Sequence, residues 1–140
     1  MVTRNPFVVR IPRALYAEVL AHISAAYPNE GCGVLGSVDS LVVKNYPTAN
    51  AAEHPDDFST IAEADLVQIF KDIDEYDGEM IYYHSHPKTE AFPSPRDIEI
   101  GKGSYLYLIF SHRFYPEEPY ARIFSIQPDD SIVEGKIELV

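Results

Sequence analysis

The sequence predicts an α/β fold, with residues 1–140 forming one domain built on a mixed β-sheet flanked by helices. Three observations carry the prediction. Short apolar runs recur between turn residues, among them FVVRI at 7–11, LVVKNY at 41–46, EMIYYHSH at 79–86 and SYLYLIFS at 104–111, and these read as strands. Two longer stretches between them space their apolar residues as one face of a helix. The chain has 140 residues, 46% of them hydrophobic, which fits one domain with one packed core.

Taken in order, FVVRI is the first strand. Pro12 follows at the first helical position, where its missing N–H costs little. Leu15, Val19, Leu20 and Ile23 then form one helical face. GCGVLGS at 31–37 reads as a short strand with glycines at places of close backbone approach, and LVVKNY is the next, after a turn around Asp39 and Ser40. An irregular loop, TANAAEHPDDFST, spans 48–60. Thr60 and Glu63 fit a capping box for a second helix, with Ala62, Leu66, Ile69, Phe70 and Ile73 on its face and Asp77-Gly78 at its end. EMIYYHSH reads as a mostly buried strand. After a short helix, SYLYLIFS, YARIFSI at 120–126 and IVEGKIEL at 132–139 read as three strands in hairpin order.

Composition narrows the function classes. With 22 acids against 11 bases the net charge is -11, which repels phosphate backbones and argues against nucleic acid as a partner. The longest apolar runs are too short to span a bilayer, and no charged-then-apolar signal segment opens the chain. A cytoplasmic location with no membrane partner is the expectation. The one cysteine, Cys32, forms no internal disulfide, which fits a reducing compartment. Oligomeric state is not legible.

The stretch HSHPKTEAFPSPRD, residues 84–97, carries the chemistry. On a strand, residues i and i+2 share a side, so His84 and His86 aim at one point. Asp97 offers a third ligand from the start of the next helix. Two imidazoles and a carboxylate suit a catalytic zinc, which takes three protein ligands and leaves a position for water. Such a site keeps a net charge of +1, which favours ionising that water. The bland reading is a helix cap, with Ser94 as N-cap, Pro95 at N1 and Asp97 at N3. It needs no metal but leaves two histidines at the end of a buried strand unexplained. The two readings are compatible.

The spacing H-x-H, seven residues, S-x-x-D resembles the signature of the JAMM/MPN+ metalloprotease family. It is carried by His84, His86, Ser94 and Asp97. EGCGVLG, Glu30 to Gly36, is similar to that family's glutamate ahead of a small-residue strand. The resemblance covers residues 7 to 127 or so. It implies a fold like that of cytidine deaminases and one Zn²⁺ per chain on His84, His86 and Asp97. It implies that Glu30 is the general base for the attacking water and that Ser94 donates to the developing oxyanion. PTANAAEHPDDF and YHSHPKTEAFPSPRD resemble small prokaryotic members that cleave a C-terminal cysteine from a ubiquitin-like sulfur carrier. The implied substrate is an amide bond at the Gly-Gly tail of a ubiquitin-like or sulfur-carrier protein.

Other residues have blander fates. Cys32 reads as a small buried residue, His22 as a surface or boundary residue, His54 as solvated or else lining the substrate groove, and His112 as a strand end that could approach the site. Ser85 points away from the ligands, and Tyr82 and Tyr83 pack in or on the sheet. The competing function is a non-catalytic MPN-type scaffold, although such domains typically lack the ligands. A zinc deaminase needs H-x-E and P-C-x-x-C, both missing here. An all-β cupin does not accommodate two amphipathic helices.

Overall fold

A computed structural model describes residues 7–101, 106–113 and 119–140. In chain order the elements are β1 (Val8–Ile11), α1 (Arg13–Ala26), β2 (Cys32–Val38), β3 (Leu41–Thr48), α2 (Glu63–Glu75) and β4 (Glu79–His86). Then come α3 (Pro95–Gly101), β5 (Leu106–Ser111), β6 (Tyr120–Ile126), β7 (Ile132–Glu134) and β8 (Lys136–Leu139). The expected α/β architecture is borne out. The first two residues of the expected strand at 104–111 lie outside the described residues.

Eight strands make one mixed sheet in the order β7-β6-β5-β4-β2-β3-β1-β8. Residues alternate between its two faces. On one face Leu35, Ile81, Tyr83, Leu108 and Phe110 join Val19 and Ile23 of α1 in the main core. On the other, Val34 and Met80 meet Ile69 and Ile73 of α2, and Tyr107 and Ile109 form a neighbouring cluster with Ile98 of α3. Helices thus cover both faces, which explains why β2 is buried almost throughout.

The β2–β3 turn has positive φ at Asp39 (49°) and Ser40 (65°), the left-handed pair that a tight two-residue hairpin requires. Gly33 is where close approach is needed. A Cβ there would lie 2.3 Å from the Tyr83 hydroxyl and 2.7 Å from the Tyr46 carbonyl oxygen. Tyr83 is fully buried and its hydroxyl donates to Asn45 Oδ1 at 3.0 Å, so neither neighbour can yield cheaply. Gly33→Ala should therefore lose about 1–3 kcal/mol of stability through overpacking, read as a lower urea midpoint with an unchanged slope.

The structure corrects four local expectations. Pro12 sits at the N-cap of α1, one residue before the first helical position. Thr60 does not cap α2. That helix starts at Glu63 with Ala62 at the N-cap and no side-chain cap bond, while the Thr60 N–H donates to Asn50 Oδ1. Glu63 and Asp65 still place acid in the first turn, which suits the helix dipole. Phe70 is 43% exposed, because the stripe facing the sheet runs through Leu66, Ile69 and Ile73 and leaves it to one side. Finally, 132–139 is not one strand. β7 pairs antiparallel with β6, whereas β8 pairs parallel with β1. At the junction the Gly135 N–H donates to the Ile123 carbonyl and the Lys136 N–H to the Phe7 carbonyl. The two edge strands are therefore one segment interrupted by Gly135, and the sheet curls until its edges meet.

No helix among the described residues is long and apolar enough to cross a membrane.

Candidate active site

β4 carries Met80, Tyr82, His84 and His86 on the face covered by α2 and α3, and Ile81, Tyr83 and Ser85 on the face covered by α1. The two histidines are both 5% exposed at the end of the strand, and their Nε2 atoms lie 3.0 Å apart. After β4 the loop PKTEAFP is tied down at several points. His86 Nδ1 meets the Glu90 carbonyl at 2.8 Å, the Ser111 hydroxyl donates to the Thr89 carbonyl at 2.5 Å, and Ala91 is fully buried. The loop delivers the start of α3, where Asp97 Oδ2 lies 3.4 Å from His84 Nε2 and 3.5 Å from His86 Nε2.

The cap is present as well. The Ser94 N–H donates to Asp97 Oδ2 at 2.8 Å, and the Asp97 N–H donates to Ser94 Oγ at 3.2 Å. This reciprocal pair fixes the carboxylate against the backbone. Burial alone would raise the Asp97 carboxyl, but hydrogen bonds from His84 and His86 outweigh it and hold it well below the usual carboxylate range.

These three donors fit a metal ion. A ring nitrogen 2.8 Å from a carbonyl oxygen must be the donor, so His86 holds a proton on Nδ1, and when a cation replaces the Nε2 proton that bonds Asp97 the neutral ring turns its Nε2 lone pair toward the cluster. Two imidazole nitrogens and a carboxylate oxygen at 3.0–3.5 Å from one another call for positive charge between them. Zinc bonds of about 2.0–2.1 Å in a tetrahedron put neighbouring ligands about 3.3–3.4 Å apart, close to these separations. Among the described residues, this trio is the one group of three with metal-ligand spacing.

Glu30 and Ser94 line the same cleft, a cavity of about 610 Å³ that also takes in Cys32, Phe58, Arg96 and both histidines. Glu30 is 7% exposed. Burial pushes its carboxyl up to about 7, against the pull of His84 and His86 and a hydrogen bond with Ser59, with Asp97 adding to the rise. Its backbone is held independently of its side chain. The N–H donates to the Pro55 carbonyl at 2.7 Å, and the carbonyl accepts from Asn50 Nδ2 at 3.0 Å.

Two positioning residues carry no obvious sequence signal. Asn50 also donates to the Phe58 carbonyl and accepts from the N–H groups of Ala52 and Thr60, so one side chain organises the loop beside Glu30. Ser85 points away from the cleft, as the alternation of the strand requires. Its hydroxyl accepts the buried Gly31 N–H at 2.8 Å and its own N–H donates to the Gly31 carbonyl at 3.0 Å. Ser85→Ala should cost about 1–3 kcal/mol by stranding that amide, measurable by urea unfolding.

The remaining candidates resolve as packing. His22 Nε2 lies 3.0 Å from both the Cys32 and Thr48 carbonyls. His54 is exposed, with its carbonyl accepting from Asp57 and Phe58 in a turn. His112 is buried, its backbone N–H donates to the His86 carbonyl, and its ring lies 4.8 Å from that of Tyr27. Cys32 is buried beside Thr48 on the cleft floor.

Against known proteins, residues 12–126 match the family model for prokaryotic homologues of the JAB domain. The chain belongs to that family. The JAMM/MPN resemblance is thereby borne out. A Thermus thermophilus relative named "Probable TtuB-protein conjugate cleaving protease" is 35% identical over 107 residues, covering 74% of this chain and 70% of its own. The CysO-cysteine peptidase of Mycobacterium tuberculosis is 24% identical over 137 residues, covering 96% and 92%. A solution structure of a Desulfitobacterium hafniense protein superposes with a TM-score of 0.81 at 30% identity, covering 94% of this chain and 92% of that one.

Proposed function

We propose that this JAB-domain protein is a zinc-dependent peptidase or isopeptidase. It hydrolyses an amide bond at the C-terminal Gly-Gly tail of a ubiquitin-like or sulfur-carrier protein, with one Zn²⁺ per chain on His84, His86 and Asp97. The observation that carries the reading is a buried carboxyl, Glu30, in the same cleft as the His-His-Asp trio. The substrate class is supported by the names of the Thermus and Mycobacterium relatives.

Bound zinc supplies a Lewis acid that polarises the scissile carbonyl and makes a water acidic enough to ionise near neutral pH. Glu30 accepts the proton of the attacking water and delivers it to the departing amine. Burial favours the protonated carboxyl of Glu30, which helps it take up the proton of the water. In the cap Ser94 Oγ is used as an acceptor, so its hydroxyl hydrogen is available to donate to the oxyanion as charge develops. The His86 Nδ1–H···O=C bond to Glu90 keeps the imidazole in the ligating tautomer throughout.

The test is to measure zinc in the purified protein, then incubate it with carriers extended beyond Gly-Gly and weigh the products. One zinc per chain and release of the unextended carrier is the expected result. Metal-free protein whose stability is indifferent to zinc and chelator would instead make this domain a non-catalytic scaffold.

A further inference from the structure

Among the described residues, one guanidinium in the cleft lies against an aromatic ring and has no carboxylate in ion-pair contact, although Glu30, Asp57 and Asp97 share the lining. Of the described residues that line the cleft, Arg96 is the one lysine or arginine. It precedes Asp97 on α3, and its guanidinium carbon stands 4.4 Å from the centre of the ring of Phe58, a cleft-lining residue of the 48–60 loop. The nearby Lys88 is differently placed, with its Nζ 3.6 Å from carboxylates of both Asp56 and Asp57. No carboxylate pairs with Arg96 among the described residues. An aromatic face holds a guanidinium in orientation while leaving its edge N–H groups open, and those suit a planar carboxylate.

A Gly-Gly tail carries no charge for such a group. The residue joined to it does, when that residue is a single amino acid with a free α-carboxylate. Resting on the function proposed above, we infer that Arg96 is a specificity-determining residue that binds the α-carboxylate of the departing residue, and that the preferred substrate is a carrier extended by one free-acid residue. In the reaction water adds to the glycine carbonyl, the C–N bond breaks and the amine takes the proton. Arg96 holds the carboxylate and exchanges neither proton nor electrons. A lysine side chain within a conjugated protein brings no carboxylate to this position.

The test uses zinc-loaded protein and one carrier ending in Gly-Gly, in three forms. These are extended by cysteine as the free acid, extended by cysteine carboxamide, and joined to the Nε of lysine within a peptide. Wild type should cleave the free acid about 10- to 100-fold faster in kcat/KM than the carboxamide, the range for a charge-assisted hydrogen bond. Arg96→Gln should bring that ratio close to one by raising KM for the free acid, and Arg96→Lys should restore part of it. Zinc content should stay at one per chain in both variants. Equal wild-type rates on acid and carboxamide, or a wild-type preference for the lysine-linked form, overturn the inference and leave the function standing. Failure to cleave any of the three overturns both.

Discussion

Glu30→Gln should lower kcat by about 10²–10⁴-fold, the usual contribution of a positioned general base, while zinc content stays at one per chain. Glutamine preserves the size and polarity of the side chain, and the backbone at residue 30 is held by Pro55 and Asn50 in either case. What disappears is the proton acceptor. The fall should therefore be in kcat, with KM little changed. A residue of merely structural value would also lose stability on exchange, and here the opposite is expected. Burial above all raises the Glu30 carboxyl from 4.5 to about 7, so the folded protein resists its ionisation. That penalty is absent below pH 4.5 and grows as the pH rises to about 7. Glutamine never ionises, so at pH 8 the metal-free variant should be at least as stable as metal-free wild type in urea unfolding. Hydrolysis at the wild-type rate would remove Glu30 from the mechanism. Lost activity with lost stability would make it a structural residue.

How much of this arrangement the chain discloses depends on the range of the interactions. His84 and His86 were legible because the period of a strand is fixed at two, and the Ser94–Asp97 pair because a cap spans three residues whatever surrounds it. The hairpin at Asp39 and Ser40 is equally local. Gly135 was not legible as a break. The apolar pattern on both sides of it has the period of one strand, and only the partners, β6 on one side and β1 on the other, divide it. Thr60 and Glu63 have the spacing of a cap, but Asn50 claims the Thr60 amide for the loop. The role of Asn50 depends on backbone groups drawn from residues 30 to 60, so no local pattern announces it. Glu30 is an intermediate case. Its candidacy rests on a motif resemblance, and its burial exists only once β2, β4 and the 48–60 loop are assembled.

Asp97 does two jobs, and a pair of substitutions separates them. As a cap, Oδ2 accepts the Ser94 N–H; as a ligand, the same oxygen faces both imidazoles. Asparagine keeps a carbonyl oxygen for the cap but loses the negative charge, whereas alanine loses both. Asp97→Asn and Asp97→Ala should each abolish stoichiometric zinc binding and with it hydrolysis. Both should also lose the stabilisation that zinc confers on wild type, about 4 kcal/mol when free zinc is a thousand times its Kd. Without metal the two should part, with asparagine the more stable by about 0.5–2 kcal/mol, the worth of a helix cap. Metal analysis and urea unfolding with and without chelator measure all of this. Wild-type zinc affinity in Asp97→Asn would reduce Asp97 to a cap and leave His84 and His86 short of a third ligand. Equal metal-free stabilities would remove the cap and leave the ligand. The expected result, shared loss with metal and unequal loss without it, arises only if one carboxylate serves the helix and the ion together.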